Sequence, residues 1–392
     1  MKIAHVVDDE KFIDHCIAIF EHNDEIENTF FLVAPQDDYK PVHVRKIDQL
    51  IIKRRAYFSS DEFHGCLKTY DCLILHCLDF KKIKICLLAP ARLKIIWSGW
   101  GADYYNWITT VDEQLFQPET IRFLNSRPFQ RGVALRALME LAKKILRPLR
   151  RRLYLNKLFD DALQRIDYFS SPIPEDYDLL LFLLGSKFRA QYIQLNYGSL
   201  KMIMPNGGNQ LHGNHILIGN SATPTNNHLD LFKLIKTRGL NGRKIIVPLN
   251  YGDKDYALYV TSIGKKWFGE DFEPILEFLP LQEYDSIISQ CSTAIMGHRR
   301  QQGVGNTIAL LYRGARVYLD QANPFYWFLR NRGAHVFTIQ ELASGMALQA
   351  GPLTPKQIHL NREILTNFWG EESVFGNIQR LVEKLQKNHL GD

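Results

Sequence analysis

Short apolar runs recur along this 392-residue chain, and most end in a glycine, an amide or an acid just before a helical stretch begins. Lys2–Val7, Phe30–Ala34, Leu73–His76, Leu93–Trp97 and Ile166–Ser170 form the series in the first half, with Val42–Arg45 as a further candidate. His215–Ile218, Lys244–Val247, Thr293–Met296 and Val317–Leu319 repeat it in the second. Strands alternating with helices build a parallel sheet, because parallel neighbours need a crossover and the helix supplies it. The chain is too long for one ordinary core, so the two series predict two α/β domains with a boundary near residue 185. In such sheets ligands gather beyond the carboxyl ends of the strands. That edge holds Asp8–Glu10, His76 and Ser98–Asp103 in one sheet, and the loops after Ile218, Val247, Met296 and Leu319 in the other.

Other function classes are excluded by what the chain lacks. Its six cysteines, Cys16, Cys66, Cys72, Cys77, Cys86 and Cys291, form no Cys-x-x-Cys pair and sit mostly in apolar surroundings, which predicts reduced thiols and a cytosolic compartment. The first residues reach acids after a short apolar run and read as a strand, not a signal peptide. No apolar segment approaches the roughly 18–20 residues of a membrane span, so any membrane contact is expected to be peripheral. There is no Walker lysine loop, no zinc-type spacing and no Ser/His/Asp order. One Asp-x-Asp occurs at Asp253-Lys254-Asp255. Such a pair can hold a metal on a diphosphate, but charged residues are frequent enough to produce it by chance, and no metal is expected.

The net charge of +6 is unevenly spread. From Arg131 to Lys157 nine Lys or Arg stand against one acid, Glu140, interleaved with Leu135, Leu138, Leu141, Leu149 and Leu153. A basic amphipathic helix over about 127–161 suits an anionic membrane surface, with Lys143, Lys144, Arg147, Arg150, Arg151 and Arg152 meeting lipid phosphates. A solvated basic face is the plain alternative. Nucleic acid is not expected, since no nucleic-acid motif is present and the basic residues are confined to one stretch.

Met296-Gly-His-Arg-Arg-Gln-Gln-Gly-Val-Gly-Asn306 runs into an apolar helical stretch. Amides at a helix start point outward unpaired and carry the positive end of the dipole, so a glycine-rich approach can hold a diphosphate. Arg299 and Arg300 would add charge-assisted hydrogen bonds, and Gln301 and Gln302 neutral ones. A plain turn between strand and helix is the competing reading of these residues alone. Three further loops, Gly219–His228, Pro248–Asp253 and Ala322–Tyr326, follow strands of the same series, and loops at one sheet edge converge on one site. In the first half, Trp97-Ser-Gly-Trp-Gly-Ala-Asp-Tyr-Tyr105 leaves two readings open. Asp103 either caps the following helix or serves as a general base, with Trp97, Trp100 and Tyr104 offering flat faces to a sugar.

Jointly, Gly219-Asn-Ser with Asn226 and His228, Val247-Pro with Tyr251, Arg300-Gln-Gln-Gly-x-Gly305, Asn323-Pro-Phe325 and Trp100-Gly-Ala-Asp103 resemble the bacterial 4-acetamido-4,6-dideoxygalactose (Fuc4NAc) transferases, glycosyltransferase family 56. The resemblance covers nearly the whole chain. It implies the α/β GT-B architecture, two facing Rossmann-like domains with a central cleft. Residues 1–185 would bind the acceptor and residues 186–392 the nucleotide sugar, with the last helix a candidate to pack back on the first domain. It further implies inversion at the anomeric carbon, dTDP-Fuc4NAc as donor, and an undecaprenyl-diphosphate-linked disaccharide as acceptor. That chemistry belongs to enterobacterial common antigen assembly at the cytoplasmic face of the inner membrane, with no cofactor beyond the dTDP-sugar substrate.

On the combined reading, the donor is held by Gly219, Asn220, Ser221, Asn226, His228, Pro248, Asn250, Tyr251, Tyr284, Arg299, Arg300, Gln301, Gln302, Gly303, Gly305, Asn306, Asn323, Pro324 and Phe325. The acceptor meets His76, Trp97, Trp100 and Tyr104, and Asp103 is the expected base with Asp9 and Glu10 as rivals. The Asp8–Phe12 loop departs from the family's pattern and the basic stretch is more extended, which bears on the acceptor more than on the donor. A non-catalytic sugar-nucleotide or glycan-binding protein and a GT-B-type sugar-nucleotide epimerase are the alternatives.

Overall fold

The computed structural model describes residues 1–108, 115–126, 156–208, 211–346, 348 and 352–389. The chain divides into two compact units, one of residues 1–108, 126–197 and 375–392 and the other of residues 109–125 and 198–374. The basic residues Lys143, Lys144, Arg147, Arg150, Arg151 and Arg152 lie outside the described residues.

The first unit is built on seven strands, all parallel: β1 (Lys2–Val7), β2 (Glu27–Ala34), β3 (Leu50–Arg54), β4 (Cys72–His76), β5 (Lys94–Ser98), β6 (Tyr168–Ser170) and β7 (Gln191–Tyr192). Their order is β3-β2-β1-β4-β5-β6-β7. β1 and β4 lie inside the sheet and, Lys2 apart, every residue of both is buried, so they are apolar except for His5 and His76 where a half-exposed strand would alternate. The order reverses between β1 and β4, where Val6 pairs with Leu75 and His76 then pairs with Ser98 of β5.

Val42–Arg45, a strand candidate by sequence, is a loop because two carboxylates claim its amides. Asp9 accepts from the N–H groups of Val42, His43 and Val44, and Asp14 from those of Arg45 and Lys46. The third strand instead follows at β3. Pro174 opens the helix Pro174–Leu184, where its missing N–H costs nothing. β7 then continues the first sheet, so the chain passes to the second unit between Tyr197 and Gly198. The last helix, Glu371–His389, belongs to the first unit from Phe375 onward, where Phe375 stacks on His22 and Asn377 donates to Asn196.

The second unit has six parallel strands: β8 (His215–Ile218), β9 (Ile245–Pro248), β10 (Phe272–Ile275), β11 (Cys291–Met296), β12 (Arg316–Leu319) and β13 (Phe337–Thr338). Their order, β10-β9-β8-β11-β12-β13, reverses between β8 and β11. Its core gathers Ile216, Ile218, Val247, Ile295 and Tyr318 with Phe232 and Tyr256 from the covering helices, and it includes Phe123 from the helix Pro118–Ser126. That helix comes from early in the sequence and is an integral part of the second unit.

Candidate functional site

The loops after β8 and β11 meet at the switch point of the second sheet, as open α/β sheets require. His298, two residues past β11, is fully buried, and its Nε2 lies 2.8 Å from Asn226 Oδ1 and 3.0 Å from Asn220 Oδ1. Both partners can only accept, so Nε2 carries the proton. Burial, with Arg300 and His228 nearby, holds this imidazole well below the usual histidine range, and it is neutral at pH 7. Gln302 donates to Asn220 Oδ1 at 3.1 Å and to Thr223 Oγ1 at 3.0 Å, while its carbonyl accepts from Thr225 at 2.7 Å. Asn220 also donates to the Tyr251 hydroxyl at 3.1 Å, which ties in the loop after β9. Asn306 donates to the Tyr284 hydroxyl at 2.6 Å.

Glycine is dictated at two of these positions. Gly219 has φ +69°, and a Cβ there would lie 2.6 Å from both Asn226 Oδ1 and His228 Nε2. Gly303 has φ +67° and its Cβ would press on His298 and Asn220. Gly303 is also the residue before the helix Val304–Arg313, whose first turn receives no side-chain cap. The amides of that turn are left for another acceptor. The helix His228–Arg238 beside it starts the same way, after Asn227 in a left-handed conformation. The helices beginning at Lys254, Pro324 and Pro355 are capped by Asp253, Asn323 and Thr354. Asp253 of the Asp-x-Asp is thus a helix cap.

The structure therefore brings together Gly219, Asn220, Ser221, Asn226, His228, Tyr251, Gln302 and Gly303. Arg299 and Arg300 sit half-buried beside them, with Arg299 Nε 3.9 Å from Asp320 at the end of β12. Gly305, in the first turn of Val304–Arg313, has open space where a side chain would be. Gln301 is buried, Pro248 closes β9, and Asn250 is half-buried. Asn323-Pro324-Phe325 is different. Asn323 caps a helix, Pro324 is its first residue, and Phe325 is fully buried against Phe328 and Trp369, so this loop anchors the core.

Three participants escaped the sequence reading. His298 lay inside the motif, masked by its arginines and glycines. Asn227 accepts from the Gln117 amide at 2.8 Å and donates to the carbonyls of Leu115 and Gly297. Asp230 accepts from the amides of Glu119 and Thr120 and the Thr120 hydroxyl, and so caps Pro118–Ser126 from another helix. No local signal announces contacts between residues this far apart.

The edge of the first sheet corrects several expectations. Trp97 and Tyr104 are fully buried, Trp97 against Phe169 and Tyr104 donating to Asp176 at 2.6 Å, so neither face can stack on a sugar. His76 is buried as well. Its Nε2 lies 3.1 Å from His5 Nδ1, and His5 Nε2 lies 3.1 Å from Asn28 Oδ1. Of the four acceptor candidates, Trp100 alone is partly exposed. Asp103 is neither helix cap nor open base: it accepts from the amides of Leu78 and Trp100 and from the Trp97 indole, tying the ends of β4 and β5 together. Burial outweighs these bonds and pushes its pKa up. In Asp9, burial acts upward, but the amides of Val42, His43 and Val44 and the Tyr39 hydroxyl outweigh it and hold the carboxyl low. Glu10 stands at the exposed rim, its pKa raised chiefly by partial desolvation.

One further ion pair occupies this edge. Asp8, directly after β1, is bonded to Lys82 of the helix Phe80–Leu88. The Lys82 side chain is 1% exposed and also donates to the Cys77 carbonyl at 3.2 Å. Burial works against its charge, but Asp8 and Asp79 outweigh that and raise its pKa. Cys77 has φ +57°, a left-handed conformation that a side chain resists.

Comparison with known proteins agrees with this architecture. Residues 193–360 match the model of a family described as 4-alpha-L-fucosyltransferase, glycosyl transferase group 56. Among solved structures, Anabaena Alr3699/HepE in complex with UDP and glucose superposes with a TM-score of 0.61 at 11% identity, over 98% of this chain and 99% of that one. The lipopolysaccharide outer core galactosyltransferase WaaB gives 0.58 at 12%, over 98% and 99%. Sucrose-phosphate synthase from Thermosynechococcus elongatus gives 0.59 at 9%, over 99% and 100%. At such identities the structural likeness speaks for the fold, which is GT-B.

Proposed function

We propose that this GT-B glycosyltransferase, whose residues 193–360 match the group 56 family, is an inverting enzyme acting on a lipid-linked glycan. It moves Fuc4NAc or a related deoxyamino sugar from a dTDP-sugar to a polyprenyl-diphosphate-linked acceptor in bacterial surface polysaccharide assembly. The observation that carries this reading is the uncapped start of Val304–Arg313, closed by Gly303 and faced by the His298–Asn220–Gln302 network. As the glycosidic bond breaks, charge grows on the departing diphosphate. Amides already fixed at a helix start, with Arg299 and Arg300 beside them, stabilise that charge without reorganising. We assign no metal to this step: the two arginines and the helix start supply positive charge, and Asp253 is engaged as a cap. A carboxylate of the first unit takes the proton of the attacking hydroxyl.

Support for a peripheral place on the inner membrane comes from the helix Pro174–Leu184. It ends in Leu181, Phe182 and Leu183, all exposed, with Phe182 at 84%. Three consecutive apolar residues around a helix cannot share one buried face, so this end projects. Lys187, in the next turn, pairs with Asp160 of the helix Asn156–Arg165, and the basic sequence runs into that same helix. Apolar tip and basic sequence together suit an anionic bilayer. No helix among the described residues is long and apolar enough to cross a membrane.

Calorimetric titration with dTDP, UDP and GDP, with and without EDTA, tests the donor assignment. Selective dTDP binding that survives EDTA and is lost in Arg300→Ala is the expected result. Binding of no nucleotide, or binding only with a divalent ion, would sink it. Co-sedimentation with phosphatidylglycerol vesicles tests the membrane assignment. Phe182→Glu and a triple Arg150–Arg152 to Glu variant should each weaken binding, and unchanged sedimentation of both removes the peripheral reading.

A further inference from the structure

We propose that Asp8, steered by the buried ammonium of Lys82, is the base that deprotonates the acceptor hydroxyl. The inference rests on the transfer reaction above and names a residue that the sequence motifs do not single out. A general base must be fixed in place and must keep an oxygen open to the proton it removes. Asp9 and Asp103 are fixed, but both oxygens of Asp9 serve the 42–44 loop and both oxygens of Asp103 join the ends of β4 and β5. Glu10 is at the rim, and no bond to it is among those described.

Asp8 satisfies both conditions. It leaves the carboxyl end of β1, one of the two strands at the switch point. Its Oδ2 is held by Lys82, while its side chain stays 33% exposed and Oδ1 accepts nothing from the described residues. Lys82 in turn is held by the Cys77 carbonyl, directed to it from a left-handed residue at the end of β4. Left-handed backbone at a non-glycine costs free energy and persists where the surroundings impose it, often at reacting sites. A fully buried lysine is costly too unless it is paired, and here its partner is the exposed acid. Two costly features thus converge on one half-open carboxylate.

In the proposed step the acceptor O–H bond breaks and its proton passes to Asp8 Oδ1. The freed electron pair forms the new bond to the anomeric carbon, and the C–O bond to the diphosphate breaks, its electrons leaving with dTDP. Lys82 touches no reacting atom; it is a positioning residue.

The test uses the full-length enzyme with dTDP-Fuc4NAc and a synthetic farnesyl-diphosphate-linked disaccharide, following dTDP release and glycan product. Asp8→Ala and the near-isosteric Asp8→Asn should each lower kcat by about 10²–10⁴-fold, the range of general-base catalysis, while calorimetric dTDP affinity stays within about twofold. Added formate should restore part of the rate of Asp8→Ala, because a small carboxylate can occupy the vacated place. Lys82→Met should lower kcat with KM for the donor and thermal unfolding unchanged, since an apolar chain of similar length suits a buried position, and Lys82→Arg should recover part of that loss. Near-wild-type turnover in either Asp8 variant, or loss without formate rescue, overturns the assignment of Asp8. Absence of product with the unaltered enzyme overturns the transfer reaction itself.

Discussion

Lowering the pH from 8 to 5 should weaken both units through their buried histidines. His5 and His76 in the first unit and His228 and His298 in the second are at most 1% exposed. Burial lowers the pKa of all four, to about 3 for His5 and His228. In the unfolded chain each returns to about 6.5. Between those values the unfolded state binds more protons, so stability is fully present above pH 6.5 and is lost as pH falls toward 3. At pH 5 a histidine with such a pair of values costs about 2 kcal/mol. One or two of them per unit make about 2–4 kcal/mol, a large part of a typical stability of 5–15 kcal/mol. Asp103 and Asp230 act the other way, because burial raises their pKa and the folded state takes up protons as the pH drops. The glutamine variants of the histidines separate their contribution from that of these carboxyls. Urea unfolding at each pH reads the loss, and His5→Gln and His228→Gln should flatten the pH dependence. A midpoint constant from pH 8 to 5 in the unaltered protein would show that these rings are not held neutral by burial.

Three other perturbations follow from particular contacts. Gly303→Ala places a side chain on left-handed backbone 3.2 Å from His298, which should cost about 1–2 kcal/mol and weaken dTDP binding in the same variant; intact affinity would separate Gly303 from the site. Arg313 and Asp285 form a buried two-pronged pair at 2.7 and 2.8 Å. Arg313→Met should destabilise by about 3–5 kcal/mol in thermal unfolding, and the double change with Asp285→Leu by less, because no uncompensated charge remains. Phe123→Ala should cost about 3–5 kcal/mol and expose the 115–126 segment to limited proteolysis; resistance equal to the unaltered chain would contradict its role as an anchor.

Much of the fold was legible because strands in the middle of a parallel sheet announce themselves. β1, β4, β8 and β11 are mostly apolar and almost wholly buried, with short runs such as Leu73–Leu75, Ile216–Ile218 and Ala294–Met296 that do not alternate with polar residues. Edge strands carry less. β10, Phe-Glu-Pro-Ile, holds a proline that only an edge position tolerates, and it does not stand out by pattern. β7 and β13 are two residues each, too short for any periodicity. The glycine-rich cradle could be read because its physics is local: backbone that must turn and amides that must point outward. Asp8 with Lys82, and Asn227 and Asp230 with the 115–120 segment, could not, since each joins residues brought together only by the folded chain. Asp103 shows the limit from the other side. Its setting among aromatics suggests chemistry, yet the same setting supplies the donors that close off its oxygens.

The backbone passes between the two units at 108/109, 125/126, 197/198 and 374/375. Anyone wishing to exchange the second unit for that of another glycosyltransferase, to alter which nucleotide sugar is used, cannot do so with one splice. A chimaera joined only at 197/198 would pair a foreign sheet with the native 115–126 helix, whose Phe123 was shaped to Tyr256 and Tyr259. It would also end in a foreign last helix laid on a native surface that expects Phe375 and Asn377. A swap of the second unit therefore travels as two separate pieces of sequence, 109–125 and 198–374, or misfits at both seams, and a substitution near residue 120 belongs, for purposes of inheritance, with the far half of the gene.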